Sequence, residues 1–443
     1  MNPLDLRRHN EIIAFKAEDN SITAFHAYNL EVAEISPESF AQMTPVPIST
    51  GEIPHVKLPN NPEEKEAFEA LTVWNNEDNP NAKSGKLDFG VRSITLNVTQ
   101  ICNLKCTYCA AGGDGTYGEA INKISIEKTL PQLKFFIESL KPNQKFSVSF
   151  VGGEPLLYPE AIVAIHDYIF AEVKDKKFTP SLQIVTNGTL LFGKTLEMIR
   201  KLKIKLKFSL DGSKDFNDIA RPTKNGQSST DMVVDAIKKL AENRGNIESF
   251  GLSAVYSKNS PSLVDTYNFF ETLHADWYDF TLDVAESDPI LQQKFIDEFN
   301  QVAALAYQSG GEENLRKIST FNSIFSNLDS QTRLENYCGA GKTYFAIDAK
   351  NKVYTCVWSA GNSSEIVGEG KQLDYEALGN YSKSLIELNN CQSCWARHLC
   401  GGGCMHINKL KNGNKHKKDN LFCERTRGLI LTALIYYKMS RLA

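Results

Sequence analysis

The sequence predicts an α/β protein with six repeated strand–helix units, a small α+β module ahead of them and a cysteine-rich extension behind. Three observations predict it. Residues 90–285 alternate short apolar or β-branched runs with helical segments. Residues 1–80 follow a separate pattern, strand-like runs and then short helices. The ten cysteines fall in two groups, three at 102–109 and seven between 338 and 423. A chain of 443 residues is too long for one ordinary core, so two or three domains are expected.

The strand-like runs are VRSITLNVT (91–99), KFSVSFVGG (145–153), SLQIVTNG (181–188), KLKFSLDG (205–212), SFGLSAVYS (249–257) and YDFTLDVA (278–285). Helical segments follow the first five. In the first of these, ISIEKTLPQLKFFIESL, Pro131 is expected to mark the helix start or a kink. Such βα units imply parallel strands joined by right-handed crossovers, as a partial (β/α)6 barrel or an open doubly wound sheet. In both, ligands bind beyond the C-terminal strand ends. CxxxCxxC, GGEP, TNG and SLDG follow strands one to four in that position.

In residues 1–80, EIIAFKA and ITAFHAYNLEVAEI read as strands joined by the turn EDNS, and SPESFAQM and PEEKEAFEALTVW as short helices. Residues 75–89 read as a linker and 289–335 as a helical bridge. The extension, 336–443, opens with a hairpin, TYFAID and VYTCVW around AKNK.

Apolar residues make up 42% and charged residues 23%, a globular balance. The 49 basic and 53 acidic residues leave a net charge of −4, which gives no case for nucleic acid or a membrane as partner. The opening MNPLDLRRHNEIIAF has no apolar segment or cleavage site of a signal peptide. No run approaches the roughly 18 apolar residues of a membrane span. A cytoplasmic location is expected, where structural disulfides are rare.

Cys102, Cys106 and Cys109 are spaced C-x3-C-x2-C, and the next cysteine is Cys338. Three thiolates leave one iron of a 4Fe–4S cluster without a protein ligand. A partial zinc site is the bland alternative, but structural zinc takes four ligands and none is near. The loop resembles that of radical S-adenosylmethionine (radical SAM) enzymes. The resemblance implies that S-adenosylmethionine caps the open iron through its amine and carboxylate. An electron from the cluster then generates a 5′-deoxyadenosyl radical that abstracts a substrate hydrogen. It also implies cofactor contacts. Tyr108 would pack near the adenine, and Gly152, Gly153, Glu154 and Pro155 would bind the methionyl amine. Asn187, Ser209 and Asp211 would meet the ribose or carboxylate, and Arg221 would pair with the methionyl carboxylate. Glycine permits close backbone approach, and a carboxylate suits an ammonium.

The later cysteines follow the pattern Cys338-x17-Cys356, then Cys391-x2-Cys394-x5-Cys400-x3-Cys404-x18-Cys423. This resembles the SPASM extension of peptide- and protein-modifying radical SAM enzymes, which implies two auxiliary 4Fe–4S clusters, three clusters in all. Cys391, Cys394, Cys400 and Cys423 would hold the outer one. Cys338, Cys356 and Cys404 would hold the inner one, which is one ligand short. Asn351 stands where the pattern has glycine, and asparagine tolerates a left-handed turn. A pair of zinc sites is the structural alternative.

Val357 replaces the acid that sulfatase-maturing relatives carry after this cysteine. The stretch AAGGDGTYG (110–118) looks like that of peptide-crosslinking maturases. The resemblance implies that the chain installs a thioether or carbon–carbon crosslink in a ribosomally made precursor peptide. Residues 1–80 would then bind the leader, or serve as a packing extension, and a flavodoxin or ferredoxin would be the reductant. The lysine run 408–420 is a solvated loop or a dock for an acidic partner. The alternatives are oxidation of a partner protein's side chain and a metal-stabilised peptide-binding protein without catalysis. No residue stands out as the catalytic proton acceptor.

Overall fold

The computed structural model describes residues 5–16, 21–109, 123–141, 144–176 and 178–442. Six parallel strands carry its largest sheet: β1 (Ser93–Thr99), β2 (Ser147–Gly152), β3 (Ser181–Thr186), β4 (Lys205–Ser209), β5 (Ser249–Tyr256) and β6 (Trp277–Leu282). They lie side by side in chain order. The helices between them are α1 (Ile126–Glu138), α2 (Pro159–Glu172), α3 (Gly193–Ile199), α4 (Lys214–Ala220), α5 (Ser229–Glu242) and α6 (Leu263–Glu271). From β1 to β6 the strand order never reverses, so right-handed crossovers put the helices between these strands on one face. Over these six strands the winding is single rather than double.

Side-chain alternation agrees. Val148, Phe150, Leu182, Ile184, Leu206 and Phe208 are fully buried. Their neighbours Ser147, Ser149, Gln183, Lys207 and Ser209 are half-buried on the other face. Burying each large apolar side chain contributes about 1.5–3 kcal/mol. Beyond β1 the sheet continues with β7 (Tyr344–Ile347), parallel to it, and then antiparallel β8 (Lys352–Tyr354), β9 (Ile366–Glu369) and β10 (Gln372–Leu373). The hairpin residue Asn351 has φ 65° and donates to Thr129 and Gln132 at 2.8 and 3.0 Å. It therefore takes the left-handed conformation expected of it.

Helix starts follow capping. Ser125, Ser228 and Ser262 each accept a hydrogen bond from the first turn of α1, α5 and α6. In α1 the Ser125 cap sets the start, and Pro131 lies inside the helix rather than opening it. Helix α4 escaped the sequence reading because seven residues show too little periodicity.

The chain divides into two compact units, each assembled from separate stretches. The strand–helix unit comprises Leu87–Asp283 and Gly339–Ser382. The other comprises Met1–Lys86, Val284–Cys338 and Lys383–Ala443. The cysteine-rich stretch 336–443 is thus divided between the two.

The second unit contains an antiparallel sheet, Leu6–His9, Ile12–Lys16, Ile22–His26 and Glu31–Glu34, with Thr44–Pro45 beside Leu6–His9. The run read as one strand over 22–35 breaks at a turn where Leu30 has φ 57°. Residues of the expected linker form Lys83–Gly85, which pairs in parallel with Thr332–Leu334. The C-terminal helix Asn420–Leu442 packs on Pro289–Lys317, which is interrupted at Gly310 and Gly311. Among the described residues no helix is long and apolar enough to cross a membrane.

Candidate functional site

The three-cysteine loop leaves the end of β1 and is held from two sides within its unit. On one side stands the GGEP turn after β2. Gly153 N donates to Thr99 O at 2.8 Å, and Glu154 N to Ile101 O at 2.9 Å. A Cβ at Gly152 would lie 2.3 Å from the Thr99 oxygen, and one at Gly153 2.2 Å from the Ile101 oxygen. Only glycines allow so close an approach. On the other side is the segment after α4. Lys105 N and Thr107 N donate to Pro222 O and Ala220 O, both at 2.9 Å, and Lys224 Nζ donates to Cys102 O at 2.6 Å. The sequence offered no signal for Lys224 or for this strapping. The stretch 110–118 lies outside the described residues.

The expected cofactor residues converge on this loop. Glu154 is fully buried. Its carboxylate accepts from Thr186 Oγ1 (2.6 Å), Asn187 N (2.8 Å) and Leu156 N (3.0 Å). Pro155 opens the short 3-10 turn that it caps. Burial pushes Glu154 up to about 7, against those hydrogen bonds. Asn187 Nδ2 donates to Asn103 Oδ1 at 2.9 Å and points to Cys102 Sγ at 3.7 Å.

Asp211 and Arg221, each expected to meet the cofactor, meet one another. Arg221 Nε and Nη2 donate to the two Asp211 oxygens at 2.9 and 3.3 Å, with both residues buried. Tyr108 OH donates to Asp211, the guanidinium lies 5.3 Å from the Tyr108 ring, and Nη1 is 3.9 Å from Cys106 Sγ. The pair thus fixes the aromatic and faces a cysteine. Ser209, half-buried, ends β4 opposite Ser253. Burial pushes the Cys102 thiol up to about 11 and raises Cys106 too, the latter against Arg221. Metal binding must displace these protons.

The donor set fits the expected groups. Three thiols suit iron. Asn97 Oδ1 is buried without a hydrogen-bond partner and would lie 3.0 Å from a Cβ at Gly152. An orphaned acceptor beside GGEP suits an incoming ammonium. On the helix-free face, a Cβ at Gly251 would lie 2.1 Å from the Trp277 ring, so the indole covers that glycine. Lys207 pairs there with Asp279. None of these five residues, Asn97, Lys207, Gly251, Trp277 and Asp279, stands out in the sequence.

In the second unit, Cys391, Cys394, Cys400 and Cys423 line one cavity of about 230 Å³. They arrive from a turn (Cys394 N to Cys391 O, 3.0 Å), the short helix Arg397–Cys400 and the C-terminal helix. Gly401, Gly402 and Gly403 follow with φ of 73°, 92° and 86°. A Cβ at Gly401 would strike Asn336 at 2.5 Å, and one at Gly402 would strike Leu385 at 2.6 Å. Burial pushes Cys391 up to about 11 and raises Cys400 further. Among the described residues no three His, Cys, Asp or Glu groups form a ready site for a single metal ion. Cys404 immediately precedes the helix Met405–Asn412 and belongs to this unit, as does Cys338; Cys356, which immediately precedes Val357–Ser359, belongs to the other. Of the lysine run, Lys411 bonds to Ala285 O and Glu286 O, and Lys418 to Asn390 O.

Residues 96–269 match the radical SAM superfamily. The radical SAM cyclopropyl synthase TigE of Paramaledivibacter caminithermalis is 25% identical over 369 residues, 77% of this chain and 73% of TigE. The cysteine-type anaerobic sulfatase-maturating enzyme of Clostridium novyi is 26% identical over 352 residues, 73% of this chain and 90% of that enzyme. The structure of Streptococcus suis SuiB bound to precursor peptide SuiA shares the fold, with a TM-score of 0.52 at 15% identity over 94% of this chain and 99% of SuiB. Residues 96–269 thus carry a radical SAM domain on an α/β fold, and the chain's relatives include maturases of peptides or proteins. That superfamily implies S-adenosylmethionine and a 4Fe–4S cluster.

Proposed function

We propose that this chain is a radical SAM/SPASM maturase that installs a thioether or carbon–carbon crosslink in a ribosomally made precursor peptide. The observation that carries the reading is the pairing, in one chain, of a clamped three-cysteine loop with a cavity lined by four further cysteines. The six parallel strands would form a partial barrel whose polar, helix-free face meets the substrate.

When bound, the cofactor and its cluster supply a carbon radical that removes a hydrogen atom from an unactivated carbon. Cys102, Cys106 and Cys109 would hold that cluster. Glu154 and Asn97 would take the methionyl ammonium, and the glycines of GGEP would let it approach. The Asp211–Arg221 pair would hold Tyr108 against the adenine, and Ser209 would meet the ribose. The Asn187 amide would donate to the Cys102 thiolate, a contact that tunes cluster potential. Cys391, Cys394, Cys400 and Cys423 would hold one auxiliary cluster. Cys338, Cys356 and Cys404 would hold a second, with a ligand position left for substrate. These clusters would accept the surplus electron, and a flavodoxin or ferredoxin would supply the first. The leader would add as a strand beside the sheet-edge strand Glu31–Glu34.

Oxidation of a partner protein's side chain has support from the Clostridium novyi relative. Val357, after Cys356, offers no carboxylate for it. The deciding experiment is anaerobic co-expression with the small peptide encoded beside the gene, read by intact mass. Loss of two hydrogens per modification is expected. An unchanged mass with no label from heavy water removes the crosslinking reading.

A further inference from the structure

A buried guanidinium normally has a carboxylate partner, because an uncompensated charge in a protein interior is costly. Arg8 breaks that pattern. It lies in the N-terminal strand Leu6–His9 and is 1% exposed. Its hydrogen bonds go to three carbonyl oxygens, those of Asn10 (2.6 Å), Gly51 and Ser393 (2.8 Å). Among the described residues no carboxylate forms an ion pair with it. Arg427, 6% exposed on the C-terminal helix, likewise donates to the carbonyls of Ile48 (2.6 Å) and Ser49. Lys418 donates to Asn390 O at 3.0 Å.

Arg427 and Lys418 line the four-cysteine cavity, and Arg8 bonds to two residues that line it, Gly51 and Ser393. The cavity lining includes Ser49, Thr50, Gly51 and Glu52 alongside the cysteines, Lys418 and Arg427. The loop 48–52 therefore lies against the cavity, pinned by Arg8 at one end and Arg427 at the other. Its contact is close, since a Cβ at Gly51 would stand 2.7 Å from Cys394 Sγ and 3.2 Å from Cys394 Cα. Arg8 and Arg427 are bonded only to neutral oxygens; Glu11, close enough to act on Arg8, is already paired with Arg397, and Glu52 is the carboxylate in the cavity lining. An iron–sulfur cluster carrying four thiolates would give both arginines an anion.

We infer that Arg8, Arg427 and the loop 48–52 form the outer shell of the metal centre at Cys391, Cys394, Cys400 and Cys423, neutralising its charge and closing it from solvent. The inference rests on the auxiliary-cluster reading above. It adds that the N-terminal module, beyond any role with a leader, is a working part of a metal site whose ligands begin 340 residues further on. The two arginines are positioning residues, and the cluster they enclose is harder to strip and easier to reduce than an uncovered one.

The test uses the full chain with Cys102, Cys106 and Cys109 replaced by Ala, so that iron reports on the C-terminal sites alone. Iron and sulfide content is measured first, and a chain that holds neither overturns both this inference and the reading beneath it. Iron release to a chelator and the midpoint potential are then followed in three variants. Arg8→Gln should speed release of one cluster's iron about 10- to 100-fold, the usual cost of losing an outer-shell partner, and lower the midpoint. Gly51→Ala should speed release by pushing the loop off a metal-fixed sulfur, with folding judged by circular dichroism. Arg7→Gln, on the same strand but paired with Asp5, should change neither. If Arg8→Gln does not fold, Gly51→Ala decides. Parent-like release from folded Arg8→Gln, or from Gly51→Ala when only that folds, overturns the inference.

Discussion

The two cysteine centres are built on different plans. The three-cysteine loop is held by neighbours in sequence and topology: the end of β1, the GGEP turn after β2 and the segment after α4. Most of its shell is backbone, and its buried cation among the described residues, Arg221, is paired with Asp211. The four-cysteine cavity is closed by side chains from both ends of the chain; of its buried arginines, Arg8 and Arg427 bond to carbonyls, and Arg397 pairs with Glu11. The difference teaches that cysteine spacing marks where both groups of thiols gather, whereas the shell that shapes each one can come from anywhere.

The sharpest way to break the comparison is to remove the first centre. Replacing Cys102, Cys106 and Cys109 with Ala should abolish reductive cleavage of S-adenosylmethionine while leaving iron and sulfide in the C-terminal region. Cleavage by that variant would sink the assignment, and loss of all iron would show that the centres are not independent.

Next comes the carboxylate of the GGEP turn. Burial raises Glu154 to about 7, above the ordinary 4.5. The sign follows. The proton stabilises the fold fully below pH 4.5, and that contribution is lost as pH rises through 7. An ammonium ligand needs the anion. Affinity for S-adenosylmethionine should therefore fall about tenfold per unit below pH 7, measured by calorimetry. Glu154→Gln should bind roughly 10- to 100-fold more weakly, for the loss of about 1.5–3 kcal/mol from a charged hydrogen bond, and should lose the slope. A slope retained in the variant would assign the titration elsewhere.

Arg221→Lys tests whether the first centre depends on a fork or merely on a charge. Lysine keeps the charge but not the bidentate geometry. Cleavage of the cofactor should slow about tenfold, near the 1.4 kcal/mol of one hydrogen bond. A rate equal to the parent would reduce Arg221 to a point charge. The smallest expected effect belongs to Lys224→Met, which removes the donor to Cys102 O but leaves the backbone strapping. It should raise iron loss from the first cluster by a few-fold, about 1 kcal/mol. A larger effect would make the side chain, not the backbone, the main support of the loop.

These contrasts also explain what could be read from the sequence. Alternating runs exposed β1 to β6, because each strand buries one face under helices. The motifs at their ends were visible because glycines and cysteines are forced by backbone approach and metal chemistry. The pairing of Asp211 with Arg221 was not visible. Both residues carried a cofactor role by motif, and only the turn after α4 brings the two side chains together. Asn351 was legible because its left-handed backbone demands a narrow set of residues. Arg8 was not, because an arginine on a short N-terminal strand has no local pattern that points to a cavity formed around residue 394. The break at Leu30 was hidden by continuous apolar character on both sides.

The hydrogen bond from Arg8 to Ser393 spans 385 positions. The ribosome must therefore make nearly the whole chain before that centre can close, whereas every strap on the first loop is present once Lys224 has emerged. At about 5–20 residues per second, roughly 200 further residues take tens of seconds. Newly made protein thus passes through an interval in which the first cysteines are already strapped in place and the last are still being synthesised. If both groups take clusters, as proposed above, an iron–sulfur donor would meet the two sites in that order.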